Sequence, residues 1–279
     1  MNRRDFLIQS SVLTVGALAG STLWSEAKPL KKFGLQLYSV RDLMPKDAKG
    51  TMQQLAKMGY TQFESYGGPQ GFLWGMSGKE SKKFLGDLGV QMVSTHFDMN
   101  TDLEKSIEMA NEAGLKYLLC PYMGPQKSLD DWKKMADKFN EVGEKVTKGG
   151  LKFGYHNHDY SFKMQDGKIP HELLLANTDP KYVMFELDIC WIVAAGIDAV
   201  AHLNQYGKRY ELCHIKDFKR IDDKVVQQNL GKGIVDFKSI CAAAQKQGMK
   251  YYLAEQEQYT VSPMASMKAD ADWLKKFSI

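Results

Sequence analysis

The sequence is 279 residues long, with 44% hydrophobic and 25% charged residues and a formal net charge of +4. The lysines and arginines are spread along the chain, which excludes the basic patch typical of a nucleic-acid-binding protein. Beyond an N-terminal targeting segment, about 250 residues remain, which is the length of one α/β barrel. No Pro- or Ser-rich linker divides residues 28–279, so a single domain is expected there.

Residues 1–27 have the composition of a targeting segment. Arg3 and Arg4 precede an apolar stretch and then small residues, a pattern that resembles a twin-arginine export signal. We therefore expect a periplasmic protein. The alternative is an uncleaved anchor, but the apolar stretch is shorter than the ~20 residues that span a membrane, so no stable membrane anchor is expected.

Eight short apolar or alternating segments predict β-strands. They lie at residues 32–40, 60–66, 90–97, 117–123, 151–158, 182–189, 210–217 and 249–256. Helical patterns occupy residues 49–59, 77–89, 102–114, 128–150, 170–177, 197–207 and 237–248, and a last one lies at 272–277. Strands that alternate with helices pair in parallel through crossovers, so the pattern predicts one closed (β/α)8 TIM barrel of the α/β class. An open doubly wound sheet is the alternative, but its Gly-rich fingerprint is missing after the first strand.

The four cysteines lack the CxxC spacing of a zinc or redox site. Three of them fall in predicted strands, where cysteine behaves as a small apolar residue. We expect free thiols at Cys120, Cys190, Cys213 and Cys241.

Polar residues gather at the carboxyl ends of the predicted strands, where barrel active sites form. In strand order they are Gln36 and Tyr38, Glu64, His96, Tyr122, His156 and His158, Glu186 and Asp188, His214 and Lys216, and Glu255 and Glu257. Buried ionisable groups are costly unless they are paired or bind a metal. Imidazole and carboxylate together suit one divalent ion, manganese, cobalt, zinc or magnesium. The pattern therefore predicts a metal site and leaves the identity of the metal open.

Several of these residues have a second, structural interpretation. Asp188 could cap the next helix, although we favour a ligand role because it ends an otherwise buried strand. His96 is equally consistent with a satisfied core histidine, and Glu64 with an ion pair. Glu255 and Glu257 share a direction on the strand, and we favour Glu255 as the ligand.

Two signals are weaker. The segment at 229–237 places two glycines before a helix, which is more typical of a turn than of a phosphate site. Tyr38, Tyr122 and Trp191 lie at strand ends or in loops, where aromatic rings can stack on a sugar.

The chain resembles the sugar phosphate isomerase/epimerase family, which has the xylose isomerase-like TIM barrel and includes ketose 3-epimerases and inosose dehydratases. The motifs are QLYS at 36–39, His96, HNHDYSF at 156–162, LDICW at 187–191, CHIKD at 213–217, GKGIVDF at 231–237 and LAEQE at 253–257. The resemblance implies one divalent metal held from the fifth to the eighth strand. By position, the implied ligands are His156, Asp188, His214 and Glu255.

Two departures from the epimerase pattern favour the dehydratase-like and keto-sugar-processing branches. His156 stands where the epimerases have glutamate, and Trp191 stands where they have histidine. The shared chemistry removes a proton from the carbon beside a carbonyl, with a metal stabilising the enediolate and a side chain acting as base.

The resemblance also suggests roles for individual residues. His158 or Glu64 is the candidate base. Lys216 and His96 would polarise or hold sugar oxygens, and Arg41 would meet an anionic substrate.

We therefore expect a metal-dependent isomerase or epimerase that acts on an unphosphorylated sugar or keto-sugar, because an exported enzyme rarely meets sugar phosphates. Loss of a β-leaving group would instead make it a lyase or dehydratase of a 3-keto-glycoside or inosose. A non-catalytic sugar-binding barrel is the alternative from another class, and it would need no metal. An abasic-site endonuclease would need more ligands and a basic groove. The sequence leaves a homo-oligomer open.

Overall fold

The computed structural model describes residues 29–30 and 32–279. The predicted export signal at 1–27 lies outside these residues. The strands are β1 (Gly34–Gln36), β2 (Gln62–Tyr66), β3 (Gln91–His96), β4 (Tyr117–Cys120), β5 (Lys152–His156), β6 (Val183–Asp188), β7 (Tyr210–Ile215), β8 (Asp217–Ile221), β9 (Lys224–Gln228) and β10 (Tyr251–Ala254). The helices are α1 (Ala48–Met58), α2 (Gly78–Asp87), α3 (Leu103–Ala113), α4 (Leu129–Lys148), α5 (Pro170–Asn177), α6 (Ile189–Ala194), α7 (Ala199–Tyr206), α8 (Phe237–Gln247) and α9 (Pro263–Leu274).

Eight strands form a closed parallel barrel in the order β1-β10-β7-β6-β5-β4-β3-β2. Gly34 of β1 pairs with Gln62 of β2 on one side and with Leu253 of β10 on the other, which closes the ring. The predicted TIM barrel is confirmed, and the open doubly wound sheet is wrong. The remaining two strands, β8 and β9, form an antiparallel hairpin after β7.

The inside of the barrel changes from apolar to charged along its axis. Side chains two residues apart on a strand point the same way, so Met184, Glu186 and Asp188 of β6 all face inward at rising heights. The apolar layer near the amino ends of the strands consists of Val93, Tyr117, Leu119, Met184, Leu212, Tyr251 and Leu253. The buried ionisable residues of the two clusters described below lie in the carboxyl-end layers, where each is within reach of a partner.

Polar side chains fix where most helices begin. An oxygen at the residue before the helix accepts a hydrogen bond from a backbone N–H of the first turn, which would otherwise lack a partner. These residues are Asp47, Ser77, Asp102, Ser128, Asp188, Asp198, Asp236 and Ser262.

The structure differs from the predicted elements in several places, and helix α6 was not predicted. The first strand stops at Gln36, because its side-chain oxygen accepts a hydrogen bond from the Tyr38 N–H at 3.0 Å and starts a 3-10 turn. The fifth strand ends at His156 rather than at 158. The hairpin at 217–228 was not predicted, and the last helix begins at Pro263 rather than at 272. A proline at the first helical position is favourable because its fixed φ suits the helix and its missing N–H costs no hydrogen bond.

All four cysteines are buried and free. Within residues 29–30 and 32–279, the helices are too short or too polar to cross a membrane.

Candidate metal centre

Asn157 lies between the two histidines of segment 154–160 and fixes His156 beside Asp188. Asn157 is fully buried, and its side-chain oxygen accepts a hydrogen bond from the Asp188 N–H at 3.0 Å while its amide donates to the Asp188 carbonyl at 3.2 Å. These two bonds join the carboxyl ends of β5 and β6. As a result, His156 Nε2 lies 3.4 Å from Asp188 Oδ2.

Two further strand ends complete a cluster of four potential ligands. His214 Nδ1 lies 3.1 Å from Glu255 Oε2 and 3.8 Å from Asp188 Oδ2. His156, Asp188, His214 and Glu255 each offer one ligand atom, and these atoms lie within 4.8 Å of one another. The structure thus brings together the four residues that the resemblance implied.

The donor atoms of this cluster fit a divalent cation. In the described part of the chain, the buried atoms His156 Nε2 and Asp188 Oδ2 make no hydrogen bond, although Asp188 Oδ2 lies 3.2 Å from the Lys216 ammonium. The other polar atom of each side chain is engaged, because His156 Nδ1 lies 3.3 Å from the Pro121 carbonyl and Asp188 Oδ1 accepts from the Trp191 N–H at 3.0 Å. Such contacts orient metal ligands and leave their free lone pairs for the ion. Asp188 therefore caps α6 and also faces the cluster, so its two predicted roles are compatible.

A buried cation lies at the wall of the cluster. Lys216 is 1% exposed, and its Nζ lies 3.2 Å from Asp188 Oδ2, 2.6 Å from Glu255 Oε2 and 2.7 Å from Glu257 Oε1. Burial alone lowers the pKa of Lys216, but these three carboxylates raise it well above its usual value. The ammonium therefore stays charged and offsets part of the negative charge.

A second group of four ionisable residues lies deeper in the barrel. Glu64, His96, Glu186 and His214 are all buried and share ligand-like spacing. His96 Nε2 lies 3.0 Å from Glu186 Oε2 and 3.1 Å from Glu64 Oε1. Burial lowers the pKa of His96, but Glu64 and Glu186 outweigh it and raise that pKa to about 9. A protonated His96 thus pairs with the two carboxylates.

Glu64 contacts the ring nitrogen of His214 that faces away from Glu255. Its Oε1 lies 2.7 Å from His214 Nε2, and the two Glu64 oxygens also accept hydrogen bonds from Gln36 at 2.7 Å and Ser94 at 2.5 Å. Burial raises the pKa of Glu64, but His96 and His214 lower it well below its usual value. The side chain is an ionised, fully engaged carboxylate beneath the cluster.

A cleft of about 800 Å³ opens above the cluster at the carboxyl ends of the strands. Eight of the residues singled out in the sequence line it. They are Tyr38, His96, Tyr122, His156, His158, Lys216, Glu255 and Glu257.

Three predicted contact or catalytic residues are absent from the described lining of the cleft. Arg41 donates to the Glu257 carbonyl at 3.0 Å and to the Tyr259 hydroxyl at 3.1 Å, so its guanidinium fastens a loop rather than meeting substrate. Trp191 stacks behind His158 with ring centroids 5.9 Å apart. Glu64 lies below the floor of the cleft.

Several lining residues were not assigned to the site by the sequence analysis. They are Tyr66, Gly67, Phe97, Asp98, Met99, Asn100, Cys120, Pro121, Met123, Met135 and Lys138. Most of them come from loops and a helix, whereas Tyr66 and Cys120 end strands β2 and β4. Met135 and Lys138 are three residues apart on one face of α4, which is a sequence signal for a shared surface but not for a cleft.

The two-glycine segment after β9 binds a carboxylate of the protein itself. Asp217 accepts hydrogen bonds from the backbone N–H groups of Gly231 at 3.0 Å, Gly233 at 2.8 Å and Val235 at 3.3 Å. The turn interpretation of this segment agrees with these contacts.

The family follows from comparison with known proteins. The family model for the xylose isomerase-like TIM barrel matches residues 52–277. The chain belongs to this family, which confirms the resemblance inferred from its motifs.

Its relatives are sugar-processing proteins. An inosose dehydratase from Lacticaseibacillus casei is 26% identical over 157 residues, which cover 50% of this chain and 52% of that protein. The chain thus spans about half the length of the curated relatives it matches. The crystal structure of a sugar phosphate isomerase/epimerase from Parabacteroides distasonis is 29% identical, covers 90% of this chain and 95% of that one, and has a TM-score of 0.77. The IOLI protein with a bound zinc atom is 14% identical over 86% of this chain and 95% of that one with a TM-score of 0.69, which shows the shared fold alone.

Proposed function

We propose that this protein is a divalent-metal-dependent sugar isomerase or epimerase that works through an enediolate on an unphosphorylated sugar or keto-sugar. The observation that carries the proposal is the four-residue cluster, in which His156 Nε2 has no hydrogen-bond partner in the described part of the chain and Asp188 Oδ2 is in an ion pair with Lys216. His156, Asp188, His214 and Glu255 would hold the ion. Bound there, the ion supplies the Lewis acidity that stabilises negative charge on adjacent sugar oxygens.

The remaining polar residues of the cleft suit the handling of protons and sugar oxygens. His158 lies beside His156, with ring centroids 4.9 Å apart, and lines the cleft. We assign it the role of base, because both oxygens of the other candidate, Glu64, are engaged below the floor. Lys216 and His96 would hold the substrate oxygens.

An elimination is the second candidate reaction. It is favoured by the similarity to inosose dehydratases and by the histidine at position 156. The same proton abstraction would then expel a group from the neighbouring carbon, which suits a 3-keto-glycoside or an inosose.

An unphosphorylated substrate is supported by the loop after β9. Backbone amides in this region of a barrel frequently bind phosphate, but here three of them donate to Asp217. A substrate phosphate would have to displace that carboxylate.

Metal titration of the purified protein tests the proposal. With manganese, cobalt or zinc, we expect wild type to bind one ion, and His156→Ala and Asp188→Ala each to lose at least tenfold in affinity, because each removes a ligand. Glu257→Gln changes a carboxylate on the same wall that is outside the cluster, so it should retain binding. Wild-type protein that binds none of the three ions would contradict the proposal.

The two reactions are separated by incubating metal-loaded protein with ketoses and 3-keto-glycosides in deuterated water. Isomerisation or epimerisation predicts solvent deuterium at one sugar carbon, detected by NMR. Elimination predicts release of the aglycone.

A further inference from the structure

The cleft extends far beyond the metal cluster. Its volume of about 800 Å³ lies in the upper part of the range of roughly 300–1,000 Å³ that encloses drug-sized ligands. Two of the four candidate ligand residues, His156 and Glu255, line the cleft. A single sugar ring seated against them would leave the rest of the cleft to a different part of the substrate.

Three methionines also line the cleft. Met99 follows β3, Met123 follows β4, and Met135 lies on α4. All three are partly buried and pack against the hydrophobic core, so their positions are fixed while part of each side chain faces the cleft. Methionine is apolar, polarisable and adaptable, and its sulfur makes favourable contacts with aromatic rings. We call this region the methionine end of the cleft.

Tyr122 lines the cleft beside the methionine end. Its side chain is 58% exposed, yet its ring packs edge-on against His158 at 5.2 Å and Tyr160 at 5.4 Å. The ring is therefore held in place while much of it remains accessible. A fixed, accessible aromatic ring suits stacking or edge contact with another flat ring.

The polar residues near the methionine end satisfy one another. Lys138 Nζ donates to Asn100 Oδ1 at 2.7 Å, and Asp98 Oδ1 accepts from the Asn100 backbone and side-chain amides at 2.9 and 2.8 Å. These groups therefore have partners before any ligand binds. The contact that this end offers is mainly apolar.

We propose that the methionine end binds a flat, apolar substituent carried by the sugar, so that the substrate class is a keto-glycoside with an aromatic aglycone. The inference rests on the proposed function, because it takes the sugar to lie against the candidate metal ligands. A second sugar ring is the competing occupant, and the experiment below separates the two.

The test uses the full-length, manganese-loaded protein and calorimetric titration with matched glycosides. The probes are the phenyl and methyl β-glucosides, β-galactosides and β-xylosides, together with cellobiose. Because burying a phenyl ring removes apolar surface from water, we expect at least one phenyl member to bind about tenfold more tightly than its methyl partner. We expect cellobiose to bind no better than methyl β-glucoside.

Methionine variants locate the effect. Met135→Ala and Met123→Ala should reduce the phenyl preference to about threefold or less, because part of the apolar surface is lost. Met164→Ala is the matched control, since this described residue is 72% exposed and absent from the cleft lining. If circular dichroism shows that Met135→Ala or Met123→Ala does not fold, Met99→Ala is used in its place.

Equal affinities within every pair, including no binding by either member, would overturn the inference, as would a preference for cellobiose over phenyl β-glucoside. An unchanged phenyl preference in the folded methionine variants would overturn it too. Failure of the proposed function looks different, because it appears in the separate metal titration. Normal metal binding without a phenyl preference rejects the methionine-end inference alone.

Discussion

At the scale of single residues, His214 belongs both to the cluster of four candidate metal ligands and to the deeper ionisable group. Its Nδ1 faces Glu255 at 3.1 Å, and its Nε2 faces Glu64 at 2.7 Å. A carboxylate on the second nitrogen of a ligating histidine fixes the ring orientation and the position of the ring proton. Glu64 therefore acts as a positioning residue for His214.

We expect Glu64→Gln to weaken metal binding by about 10–100-fold, which is the usual effect of losing such a partner. The amide keeps the size of the side chain but lacks the charge that holds the His214 N–H. Metal titration measures the effect. Glu211→Gln is the control, since Glu211 binds Lys152 and Lys250 outside both ionisable groups. Equal metal affinity in Glu64→Gln and wild type would show that His214 needs no such support.

The contact between Glu64 and His214 could not be predicted from the sequence. Strand position predicted that Glu64 faces the interior, but its depth depends on the register shift between Phe63 and Glu64 where β2 meets β3. A shift of that kind leaves no mark on the local pattern. In contrast, His156 follows directly from alternation on β5, whose pairings with β4 and β6 are in continuous register.

At the scale of elements, the β8–β9 hairpin supports one wall of the cleft. Gln227 accepts a hydrogen bond from the Glu257 N–H at 2.6 Å and donates to its carboxylate at 3.3 Å. Asp217, at the start of the hairpin, holds the loop that follows it. The hairpin is thus connected to the residue that pairs with Lys216.

Gly233→Ala should destabilise the fold by about 1–3 kcal/mol, the usual cost of overpacking. An added Cβ at this position would overlap the Asp217 carboxylate and the Phe218 carbonyl. Gly86→Ala is the matched control, because Gly86 lies in α2 with open space around it and alanine is the better helix former. Urea unfolding measures both. A loss in Gly233→Ala no larger than that in the control would contradict the close packing of this loop.

The hairpin and the methionine end mark the limit of sequence prediction at this scale. Strand and helix order follow from hydrophobic periodicity, which local side chains determine. The methionines meet at the cleft because the barrel fold brings α4 and the loops after β3 and β4 to the same opening. Hydrophobic periodicity reports on single elements and does not show which elements come together.

At the scale of the whole molecule, two buried histidines on α5 and α7 make the free energy of unfolding depend on pH. His171 Nε2 and His202 Nε2 both lie 2.7 Å from the Tyr210 hydroxyl. Burial lowers the pKa of His202 to about 4. Burial, together with the charges of His202 and Arg209, lowers the pKa of His171 well below its usual value. Both imidazoles are therefore neutral in the folded protein near neutral pH.

The unfolded chain takes up a proton at His202 near pH 6.5, before the folded protein does. We therefore expect the free energy of unfolding to fall as the pH drops from about 6.5 to 4, by on the order of 2–3 kcal/mol from His202 alone. His202→Gln should flatten this dependence, even if it lowers stability at pH 7. Urea unfolding at several pH values measures the slope. Ser161 Oγ lies 3.5 Å from His171 Nδ1, so Ser161→Ala alters the same network without removing a titrating group, and its slope should match wild type. An equally steep slope in His202→Gln would contradict the assignment.

The last barrel strand has a consequence for the order in which the molecule is made. β10 pairs with β7 and β1, and so joins the two ends of the barrel. It also leads directly into Glu255, the final member of the cluster. A nascent chain that has emerged as far as His214 carries three of the four candidate ligand residues, but it can assemble the complete set only after Glu255 has also been synthesised. Ring closure and completion of the ligand set thus depend on the same strand and the residue that follows it.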